Sequence, residues 1–178
     1  MPNSNPVKKI DSLSVRDFLK EYADHLKLEL VAGKRGLRRA IREGSVNRPS
    51  LALTGFYRYF ANKRLQVLGA SEMTYLRSLD EEKQRKRLSK LIEHTIPCLV
   101  IARNYLPLPV MTEIAETRGL PILRTSMITM NFINVNRIFK FIDTKGYKII
   151  FLPLFIRVID YLIIKTRNCN FIIFVMQR

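Results

Sequence analysis

Tryptophan is absent from this 178-residue chain, and cysteine and histidine occur only twice each. Cys98 and Cys169 are too few for a disulfide scaffold or a four-cysteine zinc site. With His25 and His94 they lack the spacing of a mixed cysteine–histidine site. A reducing cytoplasm is the expected setting. Glycine is scattered, seven in all, and neither GxxxxGK[ST] nor GxGxxG occurs. Phosphate loops need clustered glycines so that backbone N–H groups can converge on the anion. Gly33-Lys34-Arg35-Gly36 has two glycines and runs into Leu37, so it is not a P-loop. No GxSxG elbow is present. The N-terminal stretch holds Lys8, Lys9, Asp11 and Asp17 and no apolar run of signal-peptide length. Carboxylates are also scarce, 15 against 31 Lys and Arg, for a net charge of +16. Such an excess favours polyanions, whether nucleic acid, an anionic membrane or an acidic protein. The plainer reading is a basic chain that stays soluble.

What is present supports a buried core: 47% hydrophobic and 26% charged residues. The composition divides the chain in three. Residues 1–12 read as a flexible N-terminus and residues 13–130 as an α/β domain. Residues 131–178 read as the remnant of a linking helix followed by a divergent hydrophobic, basic tail, with seven of the ten phenylalanines and no alanine. Its Ile, Phe, Asn and Lys suggest AT-rich codons, as from a slipped reading frame or one read past its usual end. Ile149 to Ile164 falls short of the ~20 residues of a membrane span and contains Pro153, Arg157 and Asp160, so a span is not expected. A poorly folded extension is expected instead, and Phe171–Met176 is an uncharged β-prone run.

Within the body, Ser14-Val15-Arg16-Asp17 has capping-box spacing and opens a helix with Val15, Phe18, Leu19 and Tyr22 on one face. Leu26, Leu28 and Leu30 alternate as in a half-buried strand. Gly33 and Gly36 bracket a basic turn, and Arg38 to Ile41 form a short second strand. Lys34, Arg35, Arg38, Arg39 and Arg42 are the densest basic cluster, either an anion patch or a solvated face. Leu51 to Thr54 reads as an extended run ending at Gly55. Phe56, Tyr57, Tyr59 and Phe60 follow, with Arg58, Lys63 and Arg64 near them. These aromatics either stack on bases or, more simply, plug one end of a sheet.

Leu65 to Leu68 is a buried strand closed by Gly69. Ser71 caps a helix from Glu72 to Leu79, and Asp80 opens another running to about His94, with Leu88, Leu91 and Ile92 inward. Pro97 to Ala102 is the apolar run of a doubly covered strand, with Cys98 inside it as an inert small hydrophobe. A helix from about Val110 to Arg118 stops at Gly119, and Pro121 to Arg124 is the next strand. Strand–helix–strand twice in series predicts an α/β fold: a small mixed or parallel sheet built from successive βαβ units with flanking helices.

The order of certain segments carries more. Leu28 to Gly33, Asn47-Arg48-Pro49, Leu51-Ala52-Leu53-Thr54-Gly55-Phe56 with Tyr59-Phe60, Arg64-Leu65-Gln66-Val67-Leu68-Gly69, Pro97 to Ile101 and Gly119 to Thr125 occur in this order and spacing. Together they resemble the N-terminal domain of bacterial HPr kinase/phosphorylase over roughly residues 10–132. The resemblance implies a family enzyme that phosphorylates a serine of the phosphocarrier HPr with ATP and Mg2+, reverses the step by phosphorolysis, and so regulates carbohydrate metabolism through the phosphotransferase system. It implies a hexamer whose catalytic P-loop lies in a C-terminal domain, and an N-terminal α/β domain with a peripheral regulatory or assembly role.

Met130-Asn131-Phe132-Ile133 looks like the linking helix, and beyond about residue 144 nothing matches the family pattern. No catalytic, cofactor-binding or metal residue is therefore assigned here, and no cofactor is expected in this chain. The family fingerprint is Asn47, Arg48, Pro49, Thr54, Gly55, Phe56, Tyr59, Phe60, Arg64, Gln66 and Gly69, each in packing or partner contact. The expected partners, by resemblance alone, are HPr and further copies of the chain. The expected function is a regulatory or assembly domain inactive by itself. The alternatives are a basic nucleic-acid-binding module, using Lys34–Arg42 and the tyrosines, or a subunit-interaction module.

Overall fold

An apolar run without polar alternation, such as Leu99–Ile101, needs cover on both faces of a sheet. The computed structural model describes residues 12–134 and, beyond them, the backbone of three strands. In it the chain divides into two compact units, Met1–Val135 and Asn136–Arg178. The first contains, in order, β1 (Leu13–Ser14), α1 (Val15–Leu26), β2 (Leu28–Ala32), a 3-10 turn (Lys34–Gly36), β3 (Ala40–Ile41), β4 (Val46–Asn47), α2 (Ser50–Thr54), β5 (Leu65–Leu68), α3 (Ala70–Arg77), α4 (Glu81–Glu93), β6 (Leu99–Ile101), α5 (Pro109–Arg118) and β7 (Ile122–Thr125). A last helix, α6, runs through residues 129–134.

The main sheet has the order β2-β7-β6-β5-β4. Strands β4 to β7 are parallel neighbours, and β2 joins β7 antiparallel at the edge. The α3–α4 pair connects β5 to β6 and α5 connects β6 to β7, so the sheet is mixed and built from successive βαβ units with flanking helices. Leu68, Leu99, Ile101 and Ile122 join one core cluster with Leu53, Met73, Leu76, Leu91 and Met111. Val67, Val100 and Leu123 project to the opposite side by strand alternation and are equally buried. Both faces of the central strands are covered. A two-residue antiparallel pairing of β1 with β3 lies apart from this sheet.

Several local boundaries differ from expectation, each for a physical reason. Leu26 closes α1, because Lys27 adopts a left-handed conformation (φ 49°) and reverses the chain into β2. Ser50–Thr54 is a helix, not an extended run. The Leu53 N–H donates to Pro49 O at 2.8 Å, the i to i−4 bond of a helical turn, and Gly55 terminates the turn at φ 109°. Helix α3 begins at Ala70 with Gly69 as its cap rather than Ser71, because the Glu72 carboxylate accepts the Gly69 N–H. Pro109 is the first residue of α5, where its missing N–H costs nothing. Cys98 lies just ahead of β6 and is fully buried. The second unit contains β8 (Lys148–Ile149), β9 (Tyr161–Thr166) and β10 (Cys169–Val175), antiparallel in the order β10-β9-β8. The β-prone run from Phe171 thus falls largely in β10. Residues 1–11, and most of the Ile149–Ile164 stretch, lie outside the described residues. Among the described residues no helix is long and apolar enough to cross a membrane.

Candidate functional site

Because β4 to β7 point the same way, the segments entering them gather at one edge of the sheet and the segments leaving them at the other. The fingerprint residues divide between these edges.

Within the sheet, Asn47 ends β4 opposite Gln66 of β5. The Asn47 amide donates to Gln66 Oε1 at 2.8 Å, and Gln66 Nε2 donates to the carbonyls of Ala61 and Arg64, so a fully buried polar side chain is satisfied. Arg48 follows. Its Nε and Nη2 donate to the two carboxylate oxygens of Glu72 at 3.1 and 3.0 Å. The Ser50 hydroxyl donates to the same carboxylate, and the Gly69 N–H donates to it at 2.8 Å. The Glu72 side chain is wholly buried, whereas Arg48 reaches solvent at its flank. Burial pushes the Glu72 carboxyl up, but the hydrogen bonds from Arg48, Ser50 and the backbone together outweigh it and hold the group below the ordinary carboxylate range. Pro49 is buried beside this cluster. Sequence reading missed Glu72. The signal that could have found it is an acidic residue three places after Gly69, at the reciprocal position of a capping box.

Gly69 itself has an extended backbone. A Cβ there would stand 2.6 Å from Thr129 Oγ1, so the missing side chain lets α6 come up against the β5–α3 junction. Thr54 donates its hydroxyl to Leu51 O at the exposed end of α2, and Gly55 caps that helix.

The aromatics fall into two pairs. Tyr57 stacks on His94 at 4.2 Å between ring centroids, and Phe60 meets both rings edge-on. Asn62 Nδ2 ties the same loop to His94 O at 2.7 Å. Phe56 and Tyr59 instead stay in solvent, 51% and 81% exposed. Arg64 pairs with Glu43 at 2.6 Å.

The basic cluster lies at the entry edge, on the turn that meets the α5–β7 connection. Gly36 is buried there because any Cβ would strike Gly119 O. Lys34, Arg35, Arg38 and Arg42 are exposed. Arg39 is not available to an anion. Its guanidinium donates to Gly119 O, Ile96 O and Arg118 O at 2.7, 3.0 and 3.2 Å, and burial lowers its pKa. The fully buried Cys98 thiol is pushed up to about 12 by desolvation, with Arg39 as a weaker opposing charge, and it stays protonated. Among the described residues no group of three His, Cys, Asp or Glu could hold a metal ion.

A family model described as HPr Serine kinase N terminus matches residues 13–139. HPr kinase/phosphorylase of Leptospira biflexa is 36% identical over 126 residues, covering 71% of this chain and 39% of the relative. The Clostridium novyi protein of the same name is 35% identical over 134 residues, covering 75% and 41%. The chain therefore spans about two-fifths of the length of these relatives. Among solved structures, the CBS and DRTGG domains of the regulatory region of Clostridium perfringens pyrophosphatase, complexed with diadenosine tetraphosphate, give a TM-score of 0.48 at 14% identity, over 76% of this chain and 50% of that one. The family match runs from β1 through β7 and α6, across every element of the first unit, and on it the chain belongs to the HPr serine kinase N-terminal family.

Proposed function

We propose that residues 13–134 act as the peripheral regulatory or assembly domain of an HPr kinase/phosphorylase, and that the 178-residue polypeptide by itself transfers no phosphate. The observation that supports this is how the glycine amides are used. The N–H groups of Gly33, Gly36, Gly55, Gly69 and Gly119 are donated to Glu116, Gly33 O, Ala52 O, Glu72 and Ala115 O respectively. Each is engaged within the chain, so they do not converge as an anion cradle. Phosphoryl transfer depends almost entirely on such positioning and on charge placed around the phosphates. Among the described residues these amides offer no cradle for Mg2+-ATP. In this reading the chemistry belongs to the part of the family enzyme that this chain does not span. HPr is the protein partner, further copies of the chain are the assembly partners, and the bacterial cytoplasm is the setting.

The domain's own contribution is mechanical. Glu72 locks β4, α2 and the β5–α3 junction together, and Gly69 lets α6 seat on that junction. The test is incubation of the purified chain with ATP, Mg2+ and HPr. No phosphoserine above background is expected, and transfer by this chain overturns the proposal.

A further inference from the structure

We infer that the entry edge of the sheet binds single-stranded nucleic acid. Two features that are separate in sequence meet there. The Arg42 N–H donates to Lys63 O at 3.2 Å, which joins the basic turn before β4 to the loop before β5. That loop is pinned to the end of α4 through Asn62 and His94, and Lys90 of α4 brings its Nζ within 5.8 Å of the Tyr57 ring. Arg42, Arg58, Lys63 and Lys90 are all exposed, and among the described residues no carboxylate pairs with any of them. Of the acidic groups on the elements around this edge, Glu43 pairs with Arg64, Glu116 accepts the Gly33 N–H, Asp17 accepts from the Ser14 hydroxyl, and Glu93 faces Tyr57.

The loop that carries Arg58 and Lys63 also carries the exposed rings of Phe56 and Tyr59, with Arg58 over the Tyr59 ring at 5.5 Å. Core packing does not account for either ring. Cations that follow a backbone, with rings free to stack on bases, are the two components of a sequence-tolerant single-strand site. An acidic protein would use the charges but has no planar bases for the rings, so the aromatics decide between the two partners.

The test uses the full chain and a fluorescein-labelled oligothymidylate of about 16 nucleotides, within the usual site size for one small domain. Anisotropy is followed across a salt series. Four neutralised phosphates predict a log–log slope of about −3, and Lys63→Ala lowers its magnitude by about 0.7. Tyr59→Ala weakens binding roughly 5- to 100-fold without changing the slope. Arg103→Gln, an exposed cation at the opposite edge, controls for net charge and leaves both quantities at their wild-type values. Three results overturn the inference: no anisotropy change at low salt, equal losses from Lys63→Ala and Arg103→Gln, or an unaltered affinity in the Phe56→Ala/Tyr59→Ala variant. The last, with equal binding of heparin, identifies the face as a site for acidic partners in general.

Discussion

Single side chains hold this domain together at a few polar points, and Glu72 is the most consequential. Arg48→Ala removes a two-point hydrogen bond from a buried carboxylate, and a loss of about 1.5–3 kcal/mol is expected in urea unfolding. The pH dependence follows from the direction of the shift. The folded-state carboxyl lies below its unfolded value of about 4.3, so its stabilisation is complete above that value and is lost as pH falls through the folded pKa. Urea midpoints from neutral pH down to about pH 3 should fall less steeply in Glu72→Gln than in the wild type, and parallel curves refute this role. Cys98 makes a simpler case. In a Cys169→Ser background it should react with a thiol reagent only at the rate of global unfolding, because the thiol is both inaccessible and protonated. Prompt labelling of the native chain would contradict that placement. The inertness of Cys98 was legible in the sequence from its apolar neighbours. Its neighbour Arg39 was not: five basic residues look alike in a row, and only the fold shows one of them turned inward onto three carbonyls.

At the scale of elements, close backbone approaches fix how segments meet. Gly36→Ala sets a Cβ 2.1 Å from Gly119 O, so the turn and the α5–β7 connection must move apart, at a cost of about 1–3 kcal/mol in thermal or urea unfolding. Gly69→Ala clashes with Thr129 Oγ1 and should raise hydrogen exchange in α6, while Gly69→Ala/Thr129→Ala restores protection. A double variant no better protected than the single one rules out this contact as the seat of α6. The helices α1, α4 and α5 and the strands β5 to β7 were readable because their apolar spacing, caps and closing glycines agree. Helix α2 was not, since five residues carry no period and its helical form shows only in the turn that the Leu53 N–H closes on Pro49 O. The start of α3 was misplaced because Ser71, the better cap by type, is exposed, while Glu72 caps through a contact with Gly69.

For the molecule as a whole, every buried core residue among those described lies between Val15 and Phe132. The first unit holds its own core cluster, so a chain ending at Val135 should unfold in one cooperative transition. A non-cooperative melt would show that the first unit does not fold alone. The α/β class, the βαβ order and the kinship with HPr kinase/phosphorylase followed from the sequence by itself, because apolar period, capping residues and the order of short segments are local properties written along the chain. Which residues form the Arg48–Glu72 cluster, which aromatics pack and which stay exposed, and that Arg42 neighbours Lys63 were decided only by the tertiary structure. Those relations join residues distant along the chain, and no local pattern encodes a contact that exists only once the sheet has brought its edges together.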